Sequence, residues 1–131
     1  MDFYVRALEL KDEAIRHRRY LHKNAEVGLE LPKTAAYVKD ILQQYRITPS
    51  YCGMGITASV GKGRPVILLR ADMDALPMKE ESGEDFASIT NASHTCGHDL
   101  HCAMLLCAAK MLKESEEKLK GTVSYALLEQ P

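Results

Sequence analysis

The sequence predicts an α/β fold, a mixed sheet flanked by helices and containing a βαβ crossover. Three observations carry it. Apolar residues recur at helical spacing in two stretches, Val38, Ile41, Leu42 and Tyr45, then Leu100, Met104, Cys107/Ala108 and Met111. Ile56, Ala58 and Val60 alternate with Thr57 and Ser59, and Val123, Tyr125 and Leu127 alternate with Thr122 and Ser124, the period of half-buried strands. Between them the run from Val66 to Arg70 reads as a mostly buried strand.

In chain order, residues 3–22 predict a helix with a charged face, with Leu8, Ile15 and Leu21 set among Arg, Lys and Glu. Asn24 to Leu31 forms a break, and Pro32 suits the first turn of the next helix, which runs from Thr34 to Tyr45. The turn Gly61-Lys62-Gly63-Arg64-Pro65 joins strands 56–60 and 66–70, which are expected to pair as an antiparallel hairpin. Residues 77–95 have no sustained period and read as a long loop, a length that is usually functional. A helix over 99–113 leads to a last strand over 122–128. Strand 66–70, this helix and that strand form the crossover, which brings the two strands parallel. The charged run Lys113 to Lys120 reads as a solvated helix end.

Composition narrows the function. The chain has 131 residues, 46% hydrophobic and 27% charged, enough to build one domain or a piece of one. Seventeen basic against 18 acidic residues leave a net charge of −1, which gives no electrostatic case for nucleic acid or an anionic membrane. The N-terminus lacks the pattern of a signal peptide, and no apolar run is long enough to span a bilayer, so a cytoplasmic protein is the default expectation. The four cysteines are therefore expected as thiols. Cys102 and Cys107 sit in a helical apolar pattern and read as small buried hydrophobes, and Cys52 as a loop or strand-edge residue.

The chemistry concentrates in Cys96-Gly97-His98-Asp99-Leu100-His101, a thiol, two imidazoles and a carboxylate within six residues. Thiolate and imidazole are ligands for zinc and its neighbours, with carboxylates as further ligands or supports. A buried cysteine beside a loop histidine is the bland explanation of a lone Cys-x-His. It leaves Asp99, His101 and His94 unexplained, as well as the acidic pair Asp72 and Asp74 at the end of strand 66–70. In an open α/β sheet the carboxyl ends of parallel strands share the edge where ligands bind. The topology therefore expects Asp72 and Asp74, Cys96 and His98, and Gln130-Pro131 to converge there. Cys96 and His98 are the expected metal ligands, with Gly97 giving the backbone freedom to aim both. Asp99 suits a helix N-cap as well as a supporting role. His94 and His101 either order ligands and substrate or line a loop. Asp72 and Asp74 alternate on extended backbone, so one is expected at the metal and the other on the loop.

At these residues the chain resembles the amidohydrolase branch of the dinuclear-metal aminoacylase/carboxypeptidase peptidases, which includes hippurate hydrolases, indole-acetyl-amino-acid hydrolases and N-acetyl-diaminopimelate deacetylases. The resemblance runs in order through Arg18-Arg19-Tyr20-Leu21-His22, Glu26, Gly28, Glu30 and Thr34. It continues through Leu69-Arg70-Ala71-Asp72-Met73-Asp74-Ala75-Leu76-Pro77, His94-Thr95-Cys96-Gly97-His98-Asp99 and Gly121-Thr122-Val123. It implies a zinc-peptidase-like catalytic domain of which residues 1–131 are the N-terminal part, with a lid or dimerisation domain elsewhere and a homodimeric full-length protein. It implies that Cys96 and His98 ligate metal, and that Asp74 is the acid supporting catalysis. Asp72 stands where peptidase relatives carry a metal-binding histidine. The implied reaction is hydrolysis of the amide bond of an N-acyl amino acid by a metal-activated water. The cofactors would be divalent zinc, manganese, nickel or cobalt, two per complete active site.

Ala25 stands for a common proline before Glu26. In the family Gln-Pro is followed by Ala-Glu-Glu, the general base and a ligand, whereas this sequence ends at Gln130-Pro131. The chain is accordingly expected to be a fragment, inactive alone. The competing expectation is a non-catalytic remnant that at most binds metal weakly.

Overall fold

The computed structural model describes residues 1–129. Its elements are α1 (Phe3–Glu9), α2 (Lys11–Lys23), α3 (Pro32–Gln44), β1 (Ser50–Cys52), β2 (Gly55–Gly61), β3 (Val66–Asp72), α4 (His98–Glu114), a short 3-10 turn (Glu116–Lys118) and β4 (Thr122–Leu128). The expected single helix over 3–22 is two. Asp2 caps α1 through its carboxylate, which accepts from the backbone N–H of Tyr4 at 3.0 Å and Val5 at 3.2 Å. The chain then turns at Leu10, whose side chain is buried while Leu8 stays exposed. Helix α3 starts with Pro32 in its first turn and buries Val38, Ile41 and Leu42, the stripe that the spacing predicts.

The four strands lie in the order β1-β2-β4-β3. The βαβ crossover is borne out, with β3 parallel to β4 from Val66↔Thr122 to Asp72↔Leu128. The hairpin between strands 56–60 and 66–70 is not. β4 lies between them and runs antiparallel to β2, from Ile56↔Leu127 to Gly61↔Thr122. Residues 61–65 do not make a tight turn; they step across the start of β4. The Lys62 N–H donates to the Gly121 carbonyl at 3.2 Å, the Thr122 N–H to the Pro65 carbonyl at 2.9 Å and the Thr122 hydroxyl to the Gly63 carbonyl at 2.7 Å. An apolar match favours the insertion: Ile56, Ala58 and Val60 on β2 lie opposite Leu127, Tyr125 and Val123 on β4.

That shared face meets the helices. Leu21, Leu31, Val38, Leu42, Ile56, Val60, Leu106, Tyr125 and Leu127 form the centre of one continuous core. Each such fully buried side chain contributes about 1.5–3 kcal/mol relative to exposure. Strand β3 does not share this burial, contrary to the mostly buried strand expected of its apolar run. Val66, Ile67 and Leu68 are about 60% exposed, because β3 is an edge strand and only Ala71, towards its carboxyl end, is buried. A second difference concerns α4. Its buried apolar positions are Cys102, Ala103, Leu105, Leu106, Cys107 and Ala109, whereas Leu100 and Met104 of the expected stripe are exposed. Cys102 and Cys107 are buried free thiols, as their pattern suggests, and Cys52 is exposed at the end of β1.

Residues 77–95 are loop, apart from a single bridge between Leu76 and Ser93 that holds its two ends together. The placement expected for Gln130-Pro131 lies outside the described residues.

Candidate metal centre

The carboxyl end of β3 and the amino end of α4 meet, as the crossover requires. Beyond Asp72 the chain leaves the sheet with Met73 fully buried and its N–H donating to the Leu128 carbonyl at 2.7 Å. The Ala75 N–H then donates to the Glu26 carbonyl at 2.7 Å. This bend overturns the expectation that Asp72 and Asp74 cannot both serve one point. Their carboxylates flank the same imidazole, Asp74 Oδ1 lying 3.3 Å from His98 Nδ1 and Asp72 Oδ2 lying 3.8 Å from His98 Nε2. The strict alternation fails because the strand has already ended at Asp72.

His98 is the first residue of α4, preceded by Gly97 at φ 97° in the left-handed region. A Cβ there would meet nothing within 4 Å, so the requirement for glycine is conformational, not steric crowding. His98 Nδ1 lies 2.8 Å from the main-chain carbonyl of Asp74. A carbonyl only accepts, so Nδ1 carries a proton, and in the neutral ring Nε2 is the nitrogen with the lone pair. This is how proteins prepare an imidazole ligand: the bond on one nitrogen fixes the tautomer and aim of the other. Asp72 is held in turn by Arg70, whose guanidinium donates to Oδ1 at 2.9 Å.

Cys96, two residues earlier, is an exposed free thiol. Cys102 is a different kind of cysteine. Burial, reinforced by Asp99, Asp72 and Asp74, pushes its thiol far above the usual range, and Sγ donates to the Asp72 carbonyl at 3.0 Å. It pins α4 to the end of β3 and is not a candidate thiolate.

Asp99 is not an N-cap; Gly97 holds that position without a side-chain bond. Asp99 is almost fully buried in the first turn, where its Oδ2 accepts from Arg18 Nε at 2.8 Å and lies 2.8 Å from His22 Nδ1. His22 Nε2 lies 2.7 Å from Glu80 Oε1. Arg18, His22 and Glu80 are the site neighbours that sequence reasoning missed. The available signal was the i, i+4 spacing of Arg18 and His22, which sets both on one face of α2. His94 is buried, and burial pushes its imidazole down to about 4, so it is neutral at pH 7. Neither ring nitrogen has a hydrogen-bond partner among the described residues. The His101 ring lies 6.3 Å from that of His98 on the exposed side of the first turn.

Among the described residues, no group of three or more His, Cys, Asp or Glu side chains is arranged to hold a metal ion. The donor chemistry of Cys96 and His98 nevertheless fits one as a partial set, since thiolate and neutral imidazole are both ligands of divalent zinc and related metals.

Helices on one face of a mixed sheet, with imidazole and carboxylates gathered at the carboxyl end of its parallel pair, define the class: an α/β unit with its polar cluster at the strand ends. The chain belongs to the peptidase family M20/M25/M40, whose sequence profile matches residues 68–128. It is 44% identical over 110 residues to the IAA-amino acid hydrolase ILR1-like 4 of Arabidopsis thaliana, covering 81% of this chain and 25% of that protein. It is 41% identical over 127 residues to the N-acetyl-L-cysteine deacetylase of Bacillus subtilis, covering 93% of this chain and 30% of that protein. A solved dinuclear metal binding peptidase of the M20 family from Bacillus subtilis superposes with a TM-score of 0.84 at 32% identity, covering 88% of this chain and 34% of that one. The chain thus spans about a quarter to a third of the length of these relatives.

Proposed function

We propose that residues 1–131 supply the N-terminal part of the catalytic domain of a metal-dependent amidohydrolase that cleaves the amide bond of N-acyl amino acids. The observation that carries this reading is His98, whose Nδ1 is tied to the Asp74 carbonyl at 2.8 Å and whose Nε2 is left as the ligating nitrogen. The share of each relative that the chain covers supports the assignment as one part of a longer domain. Cys96 and His98 would hold the ion; the Asp74 main chain fixes the His98 ring, and the Asp74 carboxylate, 3.3 Å from Nδ1, would support it electrostatically. A bound divalent ion supplies Lewis acidity to the amide carbonyl and acidifies water. The chain's own contribution is to aim the imidazole and to set the Asp72 and Asp74 carboxylates beside it.

The substrate class, a small N-acylated amino acid, draws on the activities by which the plant and Bacillus relatives are named. No helix among the described residues is long and apolar enough to cross a membrane. Four free thiols accord with a reducing compartment, the cytoplasm on this reading, and the complete protein is expected to be a homodimer.

The test is a cobalt titration of the chain, followed by thiolate-to-metal absorption. Weak binding is expected, lost in Cys96→Ser and in His98→Ala, and weakened about 10–100-fold in Asp74→Asn at unchanged thermal stability. Unchanged affinity in the Cys96 and His98 variants removes the assignment. With two ligand-type donors where a catalytic zinc usually has three, the chain alone is expected to show no turnover of N-acetyl or N-benzoyl amino acids. That same donor count favours the second reading, a non-catalytic chain that binds metal weakly. Turnover by a longer form of the protein, abolished by His98→Ala, would exclude it.

A further inference from the structure

His22 is a buried histidine with a carboxylate on each ring nitrogen, Asp99 Oδ2 at 2.8 Å from Nδ1 and Glu80 Oε1 at 2.7 Å from Nε2. One ring thus ties together two carboxylates through its two nitrogens. Charge-assisted bonds of this kind are stronger and more directional than neutral ones.

The three residues of the bridge come from three different elements. His22 lies in the last turn of α2, Glu80 in the long loop, and Asp99 in the first turn of α4, next to His98. Asp99 Oδ2 also accepts from Arg18 Nε at 2.8 Å. Glu80 is prepared for its part. Burial pushes its carboxyl up, but bonds from the Ser82 hydroxyl and the Ser88 N–H, together with His22, outweigh this and hold it below its ordinary value. Phe86 closes the loop over the bridge. Its ring meets that of His22 edge-on at 5.5 Å and lies under the guanidinium groups of Arg18 at 4.9 Å and Arg19 at 4.6 Å.

We infer that His22 is a positioning residue. By bridging Asp99 to Glu80 it locks the first turn of α4 against the long loop, and so holds the His98 imidazole with Nδ1 on the Asp74 carbonyl and Nε2 open. The His98 ring can reach the Asp74 carbonyl only while the first turn of α4 keeps its orientation. Gly97, at φ 97° in the left-handed region, immediately precedes that turn. Asp99 is the side chain by which the turn is grasped from the far side, and His22 connects that grasp to the loop that leads to Cys96. An apolar residue at position 22 would fill the space but release both carboxylates. This inference rests on reading His98 as a ligand.

The experiment follows the His98 ring in the metal-free chain by long-range nitrogen-15 NMR, and cobalt affinity in the same samples. The parent is expected to show one His98 tautomer, protonated at Nδ1. His22→Gln can reach one carboxylate but not bridge two. It is expected to keep a helical spectrum and a cooperative unfolding transition, to show mixed His98 tautomers, and to bind cobalt about tenfold more weakly. Glu80→Ala, in the loop and away from the core, is expected to move both readouts the same way by a smaller amount. A folded His22→Gln with the parental tautomer and parental affinity overturns the inference. If that variant does not fold, Glu80→Ala decides, and no change in its His98 signal overturns it equally. Should Cys96→Ser and His98→Ala leave cobalt binding untouched, the metal reading fails. The His98 tautomer in His22→Gln then still decides whether His22 positions the ring.

Discussion

The two faces of the sheet differ sharply where β3 and β4 run side by side. On the helix-covered face Tyr125 and Leu127 of β4 are fully buried, beside Leu69 and Ala71 of β3. On the other face Leu68 of β3, 63% exposed, stands beside Ser124, and Ser124 shares a 2.8 Å hydroxyl bond with Ser59 of β2. The strands are in register and comparably apolar, so composition does not set their burial. Layering does: a strand is buried only where an element lies over its face and a neighbour lies along its edge. The candidate site sits where that contrast ends, at the carboxyl end of β3, where Ala71 and Met73 turn into the core and carry Asp72 and Asp74 with them.

The contrast can be tested directly. Leu127→Ala, on the covered face, is expected to cost about 2–5 kcal/mol in urea unfolding, the range for a cavity in a packed core. A loss under 1 kcal/mol would mean that the helices do not pack on this face as described. The covering layer itself should respond to acid. His17 is buried between the hydroxyls of Tyr37 and Tyr45, each 2.7 Å from a ring nitrogen. Burial lowers its affinity for protons below the ordinary value, with Glu13 opposing and Arg16 and Lys110 assisting.

The unfolded chain therefore takes up the proton first. The stability this group confers is complete above about pH 6.5 and is lost as pH falls towards the folded-state value, with a slope of up to about 1.4 kcal/mol per pH unit. Unfolding free energies measured from pH 7.5 to 5 should show that limb, reduced in His17→Gln; a parent curve that is flat over the range contradicts it. The smallest effect belongs to the open face. Leu68→Ala is expected to change stability by no more than about 0.5 kcal/mol, as at other exposed positions. A cost comparable to that at Leu127 would show that this face is covered in solution.

Much of the fold was legible in the sequence because it is written in local periods. The stripe Val38, Ile41 and Leu42 becomes the buried side of α3, and the alternation in residues 122–128 becomes β4. What failed was non-local. Strands 56–60 and 66–70 are close in sequence, but β4, arriving about 60 residues later, is the better partner for both. The apolar run at Val66 to Leu68 resembles a buried strand because hydrophobicity reports capacity for burial, not whether a layer is there.

Leu100 and Met104 misled for a related reason. Helix α4 is apolar around most of its circumference, so its period does not say which side meets the sheet. At the site, the approach of Asp72 and Asp74 to His98 was legible from topology. Their joint approach was not, since it depends on where the strand stops. His22 was legible as a residue, but its partners lie 58 and 77 positions away, beyond the reach of any local pattern.

The strand order also bears on how the chain acquires its shape. With β4 between β2 and β3, the two earlier strands emerge from synthesis with no edge to share, and β3 gains its ladder only when residues 122–128 arrive. Such long-range pairing is entropically expensive to nucleate, because a long loop must close before any of its contacts form. Asp72, Asp74, Cys96 and His98 are all made earlier, yet β3 has no ladder to set Asp72 and Asp74 against α4 until the last strand docks. The geometry of the candidate site is therefore a late product of folding. A nascent chain stopped before Thr122 would carry the ligand-type side chains without the arrangement that makes them a site.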